Sequence, residues 1–195
     1  MMVVRTKPKL QPAAARSGAG LSSLLPDVRD GLDGIETFCE ARDYVGWDPY
    51  DALNSPLLRA LTLGLKYPRI AVTQALKVLP VNLRRVLFVK PTRNPKGLGL
   101  FLSGAVRRYR VSGDERHAQR ARNLAAMLVT LRSPGHHYAC WGYPFPWQSR
   151  AFYVPRWTPT IVNTAFVGHA FVDAAEAFQQ EIGRASCRER VSKQV

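Results

Sequence analysis

Apolar residues that recur every three or four positions constrain the fold of this chain more than any other feature of its sequence. The clearest case runs from Asp114 to Leu131, where one face of the expected helix is apolar and arginines occupy other faces. That apolar face is formed by Ala121, Leu124, Leu128 and Leu131. The pattern ends at Ser133-Pro134-Gly135, because proline and glycine interrupt a helix. This stretch therefore predicts an amphipathic α-helix.

The same spacing predicts helices along most of the chain. Beyond the segment just described, they are expected at about 26–44, 68–79, 96–109 and 158–180. Pro26 followed by Asp27 is a typical helix start, and a hydroxyl N-cap followed by proline recurs at Ser55-Pro56 and Thr158-Pro159. Valine-rich runs such as 85–89 are too isolated to build a sheet. The predicted fold class is all-α, with antiparallel helical hairpins joined by short turns and one long loop at about 133–157.

The chain is strongly basic, and its charge is unevenly distributed. Its 195 residues include 28 lysines and arginines against 14 acidic residues, a formal net charge of +14. Residues 52–156 contain 18 of the basic residues but only two acids, Asp114 and Glu115. Such a surplus indicates an anionic partner, although compensating acids elsewhere in a longer protein would explain it equally well. Nucleic acid is the less favoured partner, because no helix-turn-helix or single-strand-binding pattern is present.

Composition along the chain predicts three regions. Residues 1–20 are basic and rich in proline, alanine and glycine, which is typical of a disordered lead-in, and residues 21–180 are expected to form the helical domain. Residues 181–191 read like the translation of a sequencing adapter, so 181–195 are predicted to be an artefactual tail on an amino-terminal fragment. No apolar run is long enough to span a membrane. Three cysteines are too few for a disulfide framework, which favours a cytoplasmic location.

The predicted long loop is dense in aromatic residues. Between positions 141 and 157 it contains seven, and loops of this length are usually functional. Aromatic faces stack on the apolar faces of sugar rings, and nearby polar side chains can hydrogen-bond the hydroxyl groups. The candidate stacking residues are Trp141, Tyr143 and Trp147, and the candidate polar contacts are His136, Gln148 and Arg150. The alternative is that this loop is a hydrophobic plug on the helical core.

A second candidate loop, residues 44–55, contains two carboxylates three positions apart. Asp48 and Asp51 lie among further residues suited to a sugar site, namely Trp47, Tyr50 and Asn54. Paired carboxylates act as acid and as base or nucleophile in glycoside hydrolysis, so both are candidate catalytic residues. Alternatively, Asp48 before Pro49 is a turn former, and Asp51 with Asn54 caps the following helix.

These two loops carry a family resemblance. The segments Trp47 to Ser55 (WDPYDALNS), Cys140 to Phe145 (CWGYPF) and Trp147 to Arg150 (WQSR) resemble bacterial proteins of the six-hairpin glycosidase-like superfamily. The resemblance covers about residues 35–178. It implies an (α/α)6 toroid roughly twice as long as this chain and a role in polysaccharide metabolism. Such proteins commonly have an aspartate where this chain has Pro146, a departure that leaves this loop without that carboxylate.

No cofactor or metal is predicted. The glycines of residues 97–104 lack the spacing of a dinucleotide fingerprint, and His136, His137 and Cys140 have no second ligand pair at zinc-site spacing. The leading hypothesis is a carbohydrate-active, glycosidase-like protein of polysaccharide metabolism that acts on or binds a poly- or oligosaccharide, with anionic saccharides included among the candidate ligands. The alternatives are a non-catalytic sugar-binding or scaffold protein of an envelope-polysaccharide pathway and, less favoured, a nucleic-acid-binding protein. The sequence makes no prediction of oligomeric state.

Overall fold

The computed structural model describes the backbone of residues 18–192 and the side chains of residues 26–179. Most of the predicted lead-in, residues 1–17, lies outside the described residues, as do positions 193–195 and the side chains of 180–192 in the predicted tail. The described chain is mostly helical, so the all-α class is confirmed. Its helices are α1 (Gly18–Glu40), α2 (Pro56–Leu61), α3 (Lys66–Val78), α4 (Pro95–Ser112), α5 (Glu115–Thr130) and α6 (Ile161–Ser192).

Two short strands and a 3₁₀ turn complete the secondary structure of the described residues. Strand β1 (Trp147–Gln148) pairs antiparallel with β2 (Tyr153–Val154), so that Trp147 lies opposite Val154. The 3₁₀ turn spans Asp51–Asn54. The chain forms two compact units that divide after Asp43, with α1 in the first and all the other elements in the second. No helix in the described part of the chain has the length and apolar character needed to cross a bilayer.

Helix capping explains several of the observed boundaries. The backbone N–H of Leu58 donates to Ser55 Oγ at 3.1 Å, which confirms the predicted cap of α2. At α5, Asp114 accepts from the backbone N–H of Arg116 at 2.9 Å. Gly113, which has a φ of +67°, forms the tight turn between α4 and α5, and this turn produces a helical hairpin.

Two predicted helix starts are wrong. Helix α1 begins at Gly18 and runs through Pro26, although proline inside a helix removes one backbone hydrogen bond and crowds the preceding turn. Helix α6 begins at Ile161 rather than at Pro159. The backbone at Pro159 is still extended, since it bridges Gly142, and Thr160 is the capping residue, with its Oγ1 accepting from the N–H of Asn163 at 3.2 Å.

The second unit contains two hydrophobic clusters. The larger cluster packs α4, α5 and α6 together around fully buried aliphatic side chains, which include Leu98, Leu102, Leu124, Leu128 and Val167. The smaller cluster joins α2 and α3 to the segments on either side of them through Ala52, Leu58, Leu76 and Val89. Burial of these side chains supplies most of the folding free energy of such a unit.

Trp141 anchors the long loop to the larger cluster. Its ring is buried, and its Nε1–H donates to the carbonyl of Leu128 in α5 at 2.8 Å. Its backbone N–H donates to Thr164 Oγ1 in α6 at 3.1 Å, and its carbonyl accepts from the N–H of Thr160 at 3.0 Å. The predicted loop is therefore ordered where it begins to pass over the helices.

Gly142 permits a close approach between the two ends of this loop. The N–H of Trp157 donates to the carbonyl of Tyr143 at 2.8 Å, and this places the Trp157–Thr158 backbone directly against Gly142. A Cβ at Gly142 would lie 2.6 Å from the carbonyl carbon of Thr158 and would overlap its oxygen. Only glycine fits here without moving the backbone.

We expect Gly142→Ala to lower the free energy of unfolding by about 2 kcal/mol or more, because the new methyl group overlaps backbone atoms. The matched control is Gly104→Ala in α4, where a Cβ meets nothing within 4 Å. Since alanine is a better helix former, this control should raise stability by about 0.5 kcal/mol. Urea denaturation followed by circular dichroism measures both changes. Equal urea midpoints of unfolding for Gly142→Ala and Gly104→Ala would contradict the close approach of the Thr158 backbone to Gly142.

Candidate functional site

A cavity of about 850 Å³ lies in the second unit between the turn at Asp48, the start of α4, the segment 143–150 and the start of α6. Six residues predicted for the site from the sequence line it: Asp48, Tyr50, Tyr143, Trp147, Gln148 and Arg150. Side chains of α3 complete the lining on another side. The two loops singled out in the sequence thus meet at one cavity.

The carboxylate of Asp48 is held in place by its own turn and by the start of α4. Its Oδ1 accepts from the backbone N–H of Tyr50 at 2.9 Å. Its Oδ2 accepts from Asn94 Nδ2 at 3.1 Å. Both oxygens therefore have a protein donor, and the aspartate stays in one orientation beside the cavity.

Asp51 has a different environment, because it is only 1% exposed and does not line the cavity. Its Oδ1 accepts from Arg84 Nε at 2.9 Å, and its Oδ2 accepts from the backbone N–H of Asp48 at 3.0 Å. Arg84 also donates through Nη2 to the carbonyl of Asp48 at 3.2 Å. Burial raises the pKa of Asp51, while the bond and charge of Arg84 act in the opposite direction. Asp51 and Arg84 therefore hold the backbone turn at Asp48 in place, an arrangement we call the brace. The two aspartates do not face each other across the cavity.

Aromatic rings form another part of the cavity lining. Tyr143 stacks on Phe145 with ring centroids 5.4 Å apart, and it meets Trp147 edge-on at 6.3 Å. Tyr143 and Trp147 are both half-buried, whereas Phe145 is only 2% exposed although it also lines the cavity. The Nε1–H of Trp147 is buried and has no hydrogen-bond partner among the described residues. Burial raises the pKa of the Tyr143 hydroxyl, and the charge of Asp48 raises it further, so this group remains a neutral donor.

The remaining polar lining residues differ in how firmly they are held. Gln148 accepts from Arg69 Nη1 at 3.5 Å and donates to the carbonyl of Ser149 at 2.9 Å. Tyr50 accepts a hydrogen bond from Lys77 Nζ at 2.8 Å through its hydroxyl oxygen. Arg150 is exposed at the turn between β1 and β2. Sugar hydroxyl groups entering here would meet both donors and acceptors.

Five of the predicted site residues do not line the cavity. Asp51 is one, and Trp141 is a second, since it belongs to the hydrophobic core. Trp47 packs on the smaller cluster and donates through Nε1 to the carbonyl of Val89 at 3.0 Å. Asn54 donates to the carbonyl of Lys90 at 3.0 Å, and His136 lies exposed in the loop. In Trp47, Trp141 and Asn54, the side-chain N–H donates a hydrogen bond to a backbone carbonyl.

Sequence reasoning missed five polar residues of the cavity: Gln74, Asn94, Lys96, Ser149 and Thr160. Asn94 is the N-cap of α4, with its Oδ1 accepting from the N–H of Lys96 at 3.0 Å. The Asn94-Pro95 pair is a recognisable helix start, so the sequence contained a signal for the cap. Nothing in the sequence signalled that the same side chain would also reach Asp48.

Comparison with protein-family models, curated proteins and solved structures finds no match to this chain. Within the described residues, no group of three or more histidine, cysteine, aspartate or glutamate side chains is placed to hold a metal ion. The chemistry of the cavity is therefore inferred from its own residues: stacking surfaces, hydrogen-bonding groups and a single carboxylate.

The brace between Asp51 and Arg84 can be tested by a double-mutant cycle. Asp51→Asn should lower the free energy of unfolding by about 3 kcal/mol, because it leaves a largely buried guanidinium without its counter-charge. Adding Arg84→Met should recover part of this loss. The control is Glu176→Gln, which removes an exposed pair with Arg110 and should cost about 0.5 kcal/mol or less. Additive effects at Asp51 and Arg84 would contradict the brace.

The raised pKa of Asp51 also predicts a pH dependence of stability. Folding takes up a proton between pH 3.8, the ordinary pKa of the carboxyl, and the higher folded pKa. The contribution of this group to the free energy of unfolding therefore falls as the pH rises through that window. Asp51→Asn should remove this component, which is measurable by comparing urea denaturation of the two proteins across mildly acidic pH. If the free energy of unfolding depended on pH in the same way for both proteins, the raised pKa of Asp51 would be contradicted.

Proposed function

We propose that this chain binds a poly- or oligosaccharide in the cavity beside Asp48 and Trp147. The observation that supports this most directly is the combination, in one cavity, of half-buried aromatic rings with several polar side chains. Sugar rings present apolar C–H faces and hydroxyl edges, so a site for them needs stacking surfaces and hydrogen-bonding groups close together. Tyr143 and Trp147 supply the first, and Asp48, Asn94 and Gln148 supply the second.

The size of the cavity fits this proposal. Its volume of about 850 Å³ is in the upper part of the range of about 300–1,000 Å³ found for small-molecule sites. Tyr143, Phe145 and Trp147 form a continuous aromatic wall, because the Tyr143 ring contacts each of the other two rings. Such a wall suits a ligand longer than one sugar ring.

Binding without hydrolysis is the better-supported form of the proposal. Glycoside hydrolysis generally uses two carboxyl groups on either side of the scissile bond. Among the described residues that line the cavity, Asp48 is the one carboxylate, and Asp51 is buried against Arg84. Pro146, where the resembling proteins commonly have an aspartate, adds no charge. A role as a sugar-binding protein of a polysaccharide pathway therefore fits the chain better than a role as a hydrolase.

We also propose that the helical hairpins belong to an (α/α)6 toroid of the six-hairpin glycosidase-like type, located in the cytoplasm. The hairpin of α4 and α5 and its packing against α6 support this architecture, because toroids of this kind are built from antiparallel helix pairs. The position of the cavity also supports it, since loops between helices supply much of its lining.

Removing the ring of Trp147 should weaken sugar binding. In a glycan panel, Trp147→Ala should lose at least about 10-fold in affinity for whichever saccharide the parent protein binds, since one stacked aromatic ring is typically worth about 1–2 kcal/mol. Trp147→Phe should retain part of the affinity. The control is Tyr138→Ala, which removes a ring that is 82% exposed and outside the cavity. Isothermal titration calorimetry with the best panel member gives the affinities.

Two results would contradict the proposal. One is the absence of any saccharide ligand across neutral and acidic panels, with the parent protein folded. The other is equal loss of binding in Trp147→Ala and Tyr138→Ala. Incubation of the bound saccharide with the protein and with Asp48→Asn, followed by analysis of products, tests turnover separately. Product formed by the parent but not by Asp48→Asn would favour the hydrolase hypothesis over simple binding.

A further inference from the structure

Two cations of the cavity lack an acidic partner. Arg150 is exposed, and its guanidinium has no hydrogen bond or ion pair with any described residue. Lys96 is half-buried, and within the described part of the chain its ammonium group contacts only the ring face of Phe166, 4.8 Å from the centroid. Surface cations commonly lack partners, but these two line the same cavity.

The carboxylates nearby offset this charge only in part. Both oxygens of Asp48 are already occupied by Asn94 and by the N–H of Tyr50. Asp51 is neutralised by Arg84 behind the cavity wall. Residues 52–113, which contribute α3 and the start of α4 to the cavity, contain no aspartate or glutamate. Two positive charges therefore face one negative charge among the lining residues.

The position of Lys96 is itself unfavourable for the helix. It lies in the first turn of α4, where the backbone dipole places partial positive charge and where acidic residues are preferred. The first turn contains no acid to offset it. A lysine at this place costs helix stability, and a bound anion would reverse the cost because it would interact favourably with the lysine and with the helix end together.

We infer that the cavity is selective for acidic saccharides, whose negatively charged group is bound by Lys96 and Arg150. This inference rests on the proposed sugar-binding function. The shared chemistry is an anionic oxygen group on a sugar ring, which a uronate carboxylate or a sulfate ester supplies. The guanidinium can bind either group through two parallel hydrogen bonds, while the ammonium group acts as a point charge. The aromatic wall stacks on the rings of the same ligand.

The test compares ligands that differ in charge alone. A short oligogalacturonate is titrated beside its fully methyl-esterified form, and a sulfated galactan oligosaccharide beside its desulfated form, all by calorimetry at low salt. We expect a charged form to bind at least about 10-fold more tightly than its neutral counterpart, and we expect that preference to shrink as salt is added. The pair that shows the larger preference identifies the acidic group.

Three variants assign the preference to these residues. Lys96→Met and Arg150→Met should each reduce affinity for the charged ligand about 10-fold and reduce affinity for the neutral ligand much less, so that the charge preference falls. Arg107→Met is the matched control, because it removes an exposed cation of α4 that does not line the cavity. Lys96→Met should fold at least as stably as the parent, since it removes a cation from the positive end of a helix.

The outcomes separate this inference from the proposed function. Equal affinity for charged and neutral forms would overturn the inference and leave sugar binding standing. Equal effects of Arg107→Met and Lys96→Met would also overturn it, because the preference would then reflect the overall charge of the chain. Absence of binding to all four saccharides and to a broader neutral panel would overturn both. A charge preference lost only in Lys96→Met and Arg150→Met would support it.

Discussion

The buried ion pair between Asp51 and Arg84 is the interaction on which the cavity depends. Asp51 bonds the backbone N–H of Asp48, and Arg84 bonds the Asp48 carbonyl, so the pair fixes the turn from both sides. Placing these charges away from water is costly, and the hydrogen bonds to the turn are what make the arrangement tolerable. The pair therefore connects the smaller hydrophobic cluster to the orientation of a carboxylate at the cavity.

Side chains of the same type have different roles in this arrangement. Two aspartates three positions apart have different roles, because one is surrounded by protein and the other lies beside open space. Two tryptophans six positions apart differ in the same way, since Trp141 is in the core and Trp147 lines the cavity. In both cases the buried member bonds a backbone group: Asp51 accepts from the N–H of Asp48, and Trp141 donates to the carbonyl of Leu128.

The sequence predicted the helices well because their determinants are local. The predicted cap at Ser55 located the start of α2, and apolar spacing located α5 closely. Thr158-Pro159 misled because a backbone bridge to Gly142 keeps Pro159 extended. Residue type also found six residues of the cavity. It could not separate Asp48 from Asp51, because that distinction depends on Arg84, which lies 33 positions further along the chain than Asp51. Sugar binding, the toroid and a nucleic-acid partner stay predictions.

The anchoring of Trp141 and Gly142 has a consequence for how such a site would diversify. The loop leaves the helices at this pair and returns at Trp157–Thr158, where the two ends bond each other. These bonds hold the two ends of the loop together. Insertions or exchanges at residues 144–156 would therefore leave the packing of α5 and α6 unchanged. Ligand preference could thus change through this segment, and through its contacts with α3, while α5 and α6 stay as they are.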